Sequence, residues 1–143
     1  MLTNDWGVDM DAFHPRLLAD DFTGMFRFYA GVLDEIVGAN LAKGGEGGPY
    51  ANWDLKDDAV LSLYDRAAMA AAAGAPAPLP RPREQDVLAL VLRVTDVDDA
   101  VRVCERHGGV LAAPARDRPE WGPTLRTAHL RDPDGNLVEL QSY

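Results

Sequence analysis

Residues 92–109 read LRVTDVDDAVRVCERHGG, and the hydrophobic period changes partway along. Val87–Val94 is apolar at nearly every position, the pattern of a strand covered on both faces. Asp96-Val97-Asp98 then opens a helix that puts Val97, Ala100, Val101 and Cys104 on one face. Gly108-Gly109 ends it at the position where a left-handed residue is usual. Downstream, Val110–Ala113 reads as a strand and Pro114–Pro123 as a loop holding Trp121. Leu125–Arg131 and Asn136–Ser142 read as strands joined by Asp132-Pro133-Asp134-Gly135, residues suited to the four places of a type I turn. In the last strand Leu137, Glu139 and Gln141 alternate with Val138 and Leu140, so Glu139 faces away from the helix.

The same order of elements stands upstream. His14–Ala19 (HPRLLA) is consistent with a strand, and Phe22, Met25, Phe26, Tyr29, Val32 and Leu33 form one helical face. Thr23 or Asp21 can cap its first turn. Ile36–Leu41 reads as a strand, residues 44–49 (GGEGGP) as a loop, and Tyr50–Leu55 and Ala59–Tyr64 as two more strands. Setting Asp21 on Asp96, an offset of 75, brings Leu17 to Leu92 and Tyr29 to Cys104. At the ends of the halves, residues 60–63 fall on 137–140 with an offset of 77, which aligns Ser62 with Glu139. An internal repeat of strand, helix and three strands follows.

Between the halves, DRAAMAAAAG has high helix propensity, and prolines at 76, 78, 80 and 82 then exclude both helix and central strand. The chain therefore divides into a tail over 1–13, a first βαβββ module over 14–65, an Ala/Pro-rich linker over 66–85 and a second module over 86–143. The fold class is α+β, with two curled mixed sheets. Phe26, Tyr29, Val101 and Cys104 are expected beneath the sheets, because each helical stripe must pack on something. Trp6, in the tail, has no assigned role.

The chain has 143 residues, 47% hydrophobic and 26% charged, which is ordinary globular composition. A net charge of −9 with no Lys/Arg cluster speaks against nucleic acid as a partner. The single cysteine excludes an intramolecular disulfide and is expected to be a small buried apolar residue. No signal peptide and no run of 18 apolar residues is visible, so no membrane association and a reducing cytoplasm are expected.

The segments 14–33, 92–109 and 131–142, above all Phe28-Tyr29 and Asp132-Pro133-Asp134-Gly135-Asn136, resemble the glyoxalase/bleomycin-resistance/extradiol-dioxygenase superfamily, also called vicinal oxygen chelate. The resemblance implies two half-barrels enclosing a small-molecule cavity, commonly completed in a homodimer. It also implies a metal site of four positions, which fall here on His14, Ser62, Ala89 and Glu139. Ser62 is a poor ligand for a divalent ion and Ala89 cannot coordinate, so no metal cofactor beyond a weakly held divalent ion is expected. Whether His129 supplies a third ligand is left open by its alternation, and His107 falls at a helix C-terminus, where it reads as solvated or facing the dipole.

The favoured function is metal-free sequestration of a hydrophobic or aromatic compound, as in the family's antibiotic-resistance members. Trp53, Ser62, Tyr64, Trp121 and Glu139 are the expected ligand-binding residues. The alternative is a metal-dependent lyase, isomerase or dioxygenase using His14 and Glu139. A Ser62–His14–Glu139 set would leave the serine mid-strand without an oxyanion hole, and a third reading, a structural or regulatory partner-binding module, has no specific feature in its favour. The ligand itself cannot be read from the residues.

Overall fold

The computed structural model describes residues 12–76 and 86–143, together with the backbone of a short antiparallel pair, β1 (Leu2–Thr3) and β2 (Asp9–Met10). The expected tail thus contains a two-stranded antiparallel pair. Trp6 and most of the proline run lie outside the described residues.

The first half runs β3 (Arg16–Ala19), α1 (Phe22–Val32), β4 (Asn40–Gly44), β5 (Tyr50–Leu55) and β6 (Asp58–Asp65). A seven-residue helix, α2 (Arg66–Ala72), opens the linker. The second half runs β7 (Ala89–Arg93), α3 (Val97–Arg106), β8 (Val110–Asp117), β9 (Arg126–Arg131) and β10 (Leu137–Ser142). The two sheets have the same order, β3-β6-β5-β4 and β7-β10-β9-β8, and in each the first strand lies parallel to the last. The repeat holds in register. Arg16 pairs with Ser62 and Leu17 with Leu63, while at the aligned positions Val91 pairs with Glu139 and Leu92 with Leu140. It holds in capping too: Asp21 accepts from the Gly24 N–H and Asp96 from the Asp99 N–H.

Helices α1 and α3 each pack on one face of their sheet. Met25, Phe28, Tyr29, Val32 and Cys104 are fully buried with Leu63, Leu130, Val138 and Leu140. Phe26 and Val101, expected beneath the sheets, are only partly buried against this core. Tyr29 and Phe28 meet edge to face at 4.8 Å.

Four readings need correction. Ile36–Leu41 is not a strand: α1 continues through a π turn, Leu33–Val37, until Gly38 at φ 69° turns the chain out, and β4 starts at Asn40. β8 runs through Pro114 to Asp117 instead of ending at Ala113, because it is an edge strand with register shifts where a missing N–H does no harm. β7 is not covered on both faces, since Ala89, Val91 and Arg93 are exposed. His107 is not simply solvated: it lies across Gly31 of α1 and hydrogen-bonds Glu35 at 2.9 Å.

The halves are joined by a polar latch. The Tyr29 hydroxyl donates to Asp132 Oδ2 at 2.6 Å. Asp132 also accepts from the Asp134 and Asn136 N–H groups and from the Asn136 amide. Asp134 reaches across to accept from the Asp20 and Asp21 N–H groups at 2.8 and 3.0 Å. Burial raises the Asp134 carboxyl above its ordinary range, with those two N–H groups opposing the shift. Residues 132–136 are therefore a clasp between halves as well as a turn. No described helix is long and apolar enough to cross a membrane.

Candidate functional site

Strand alternation decides what each sheet presents opposite its helix. In β6, Leu61 and Leu63 enter the core, so Ser62 and Tyr64 take the other face; in β10, Val138 and Leu140 enter the core and Glu139 takes the other face.

On the first sheet a row runs Arg16, Ser62, Asn52 through directly paired positions. Arg16 Nε donates to Ser62 Oγ at 2.9 Å. The guanidinium lies 5.4 Å from the Tyr50 ring and 5.9 Å from the Tyr64 ring, and those two rings are 6.1 Å apart. Asn52 is 8% exposed; its amide donates to Asp54 at 3.2 Å, and its Oδ1 is buried without a donor. Leu18, paired with Tyr64, is 41% exposed on this face.

On the second sheet His129 Nε2 lies 2.9 Å from Glu139 Oε1, and the Gln141 amide donates to Oε2 at 2.9 Å. This places His129 on Glu139's face, the point left open by its alternation. Trp121 is 53% exposed with the Arg118 guanidinium 4.6 Å over its ring. Arg118 Nε donates to Thr127 Oγ1 at 3.0 Å, which ties the Trp121 loop to the strand bearing His129.

The expected site residues thus divide. Ser62, Tyr64 and Glu139 face away from the helices, and Trp121 is tied to the second sheet by Arg118. Trp53 does not line that face: it is 1% exposed, in the core 5.6 Å from Phe26 of α1. Its neighbours Tyr50 and Asn52 take the other side, and with Arg16 they are the residues that sequence reading missed. The signal was the alternation of β5 itself: once Trp53 points inward, 50 and 52 point outward. His14 is half-buried just ahead of β3, in the first half, whereas Glu139 belongs to the second sheet.

The donor chemistry at the family's four metal positions does not fit a catalytic zinc with three protein ligands. Ala89 offers no donor. Ser62 Oγ is held by a guanidinium, whose charge would oppose a cation there. Both Glu139 oxygens already accept or share a proton with neighbours. Among the described residues, no three His, Cys, Asp or Glu side chains converge as a metal-binding group.

A cleft of about 580 Å³ lies where the halves meet, lined by Ile36, Val37 and Leu55 from one and by Arg93, Val94 and Tyr143 from the other. None of the expected site residues borders it. Arg93, its one cation among the described residues, is stacked on the Tyr143 ring at 3.9 Å.

Repeated βαβββ halves with matched parallel first and last strands define a class, and comparison with known proteins agrees. Residues 12–140 match the family model for the glyoxalase/bleomycin resistance protein/dioxygenase superfamily, and the chain belongs to that family. It is 30% identical over 125 residues to the uncharacterized protein YraH of Bacillus subtilis, covering 87% of this chain and 92% of that one. Among solved structures it resembles a glyoxalase-related enzyme from Fulvimarina pelagi, with TM-score 0.71 and 18% identity over 95% of this chain and 89% of that one. It likewise resembles a glyoxalase/bleomycin resistance protein/dioxygenase from Nocardioides, with TM-score 0.69, 18% identity, and 95% and 85% coverage.

Proposed function

We propose that the protein binds and sequesters a hydrophobic or aromatic small molecule, without a metal, between the faces of the two sheets that turn away from α1 and α3. The observation that carries this reading is the character of those faces. Each presents aromatic and hydrogen-bonding side chains beside partly exposed apolar ones: Tyr50, Tyr64 and Leu18 on one sheet, and His129, Glu139 and Val91 on the other. A face needed only for solubility would carry charges, and one needed only for packing would be apolar; the mixture suits a ligand pocket. A second copy of the chain is the partner that would cover both faces, which favours a homodimer.

The donor set described above supports the metal-free part of the proposal. The test is elemental analysis of the purified protein beside His14→Ala and Glu139→Ala, with a native mass spectrum to reveal trapped ligand. A retained organic ligand with substoichiometric Zn, Fe, Mn or Ni is expected. One tight metal per site, lost in both variants together with activity, would replace this reading with a metal-dependent lyase, isomerase or dioxygenase.

A further inference from the structure

We propose that the Arg16–Ser62–Asn52 row, flanked by Tyr50 and Tyr64, is an acid-binding pole that takes the carboxylate of a hydroxylated aromatic acid. This rests on the small-molecule reading above and narrows its ligand class.

The first argument is charge pairing. The chain carries 23 acidic and 14 basic side chains, so carboxylate partners are plentiful. Arg27, Arg102, Arg106, Arg126 and Arg131 each contact one. Arg16 contacts none among the described residues. It uses only Nε, on Ser62, and neither of its Nη groups meets a protein acceptor there. An arginine left without a carboxylate in so acidic a chain is not short of candidates; its position keeps it available.

The second argument is preorganisation. Ser62 is fully buried and fixes one edge of the guanidinium, while two tyrosine rings lie within 5.9 Å of its carbon. The opposite edge then offers a planar pair of N–H donors, which matches the two oxygens of a carboxylate. A single fork and a net charge of −9 disfavour a dianion such as a phosphate monoester. The tyrosines add apolar surface on which an aromatic ring can lie.

The third argument is the unpaired acceptor. Asn52 is more than nine-tenths buried, and its amide nitrogen is committed to Asp54, which leaves Oδ1 as a buried acceptor lacking a donor. A carboxylate cannot satisfy it, but a hydroxyl on the same ligand can. The acid and the hydroxyl together match the arginine and the asparagine on one row.

The test uses 3-hydroxy-2-naphthoate and its neutral counterpart 3-hydroxy-2-naphthamide, titrated into the full chain by calorimetry at fixed salt. The naphthoate should bind about ten- to a hundredfold more tightly, the range for hydrogen bonds to a charged group. Arg16→Gln should bring the ratio close to one, and Arg16→Lys should restore only part of it. Circular dichroism shows whether each variant is folded, and the exposed position of Arg16 favours that. Equal affinity for the two probes in the wild type would overturn the acid pole while leaving the small-molecule reading in place. Binding of neither would also overturn it, and the trapped-ligand spectrum would then decide the broader reading by itself. A naphthoate preference that survives Arg16→Gln would place the anion elsewhere and equally refute the assignment.

Discussion

At the scale of single residues, burial governs which groups can react. Cys104, on the inner face of α3, is fully buried, and its thiol is pushed up to about 11 by desolvation and then by Glu105. It should not react with a thiol-specific reagent at pH 8 in the folded protein, yet react once in denaturant; rapid labelling of native protein would contradict its placement. Tyr29 is held well above the ordinary tyrosine range, first by burial and then by the charge of Asp132. The folded phenol keeps its proton where the unfolded one loses it. Its contribution is therefore intact below about pH 10 and declines as pH rises above that. Thermal melts across the alkaline range should show the decline, and Tyr29→Phe should flatten it. Glu139→Ala should weaken ligand binding while leaving the fold in place, because the carboxylate shares its face with His129 and Gln141 and none of the three enters the core. Unchanged affinity would remove it from the site. The facing of Glu139, Ser62 and Tyr64 was legible because each alternates with leucines or valines that had to go inward. Trp53 misled because tryptophan suits a core and a cavity equally. Arg16, Tyr50 and Asn52 were hidden because polar residues on a strand look alike whether they meet solvent or ligand.

At the scale of elements, helix α1 could be read from its period, but not its end. Ile36 and Val37 are apolar and β-branched, which favours a strand locally, whereas packing on the core and Gly38 carry the helix one further turn. The contact between Gly31 of α1 and His107 at the end of α3 has a consequence of its own. A Cβ on Gly31 would stand 2.3 Å from the His107 ring, so Gly31→Ala must displace that ring and its bond to Glu35. We expect a loss of about 1–3 kcal/mol by denaturant unfolding, the usual cost of overpacking. In a His107→Ala background the same substitution should instead be neutral or stabilise by up to about 1 kcal/mol, since alanine is the better helix former. No difference between backgrounds would show that the ring is free to move aside.

At the scale of the whole molecule, the duplicated plan was legible because offsets of 75 and 77 preserve strand register and both aspartate caps. The way the halves clasp was not, because Asp132 and Asp134 satisfy a local turn rule that conceals their partners in the other half. A homodimer is expected, since Leu18, Leu41, Val91, Val110 and Leu111 leave apolar surface exposed on the four edge strands of the two sheets. Sedimentation showing a monomer at micromolar protein would reject it. Asp132→Ala would strand the Tyr29 hydroxyl and three N–H donors, and should cost about 3 kcal/mol or more.

The clasp also bears on divisibility. Each half has its own sheet and helix, yet hydrogen bonds cross between them, from Tyr29 and the Asp20–Asp21 amides in one to Asp132 and Asp134 in the other. Fragments severed in the linker and produced as two polypeptides should each be poorly soluble alone, and should regain a joint fold when mixed. The covalent connection would then be dispensable for the architecture, and the clasp would act as the recognition signal between two independently encoded pieces.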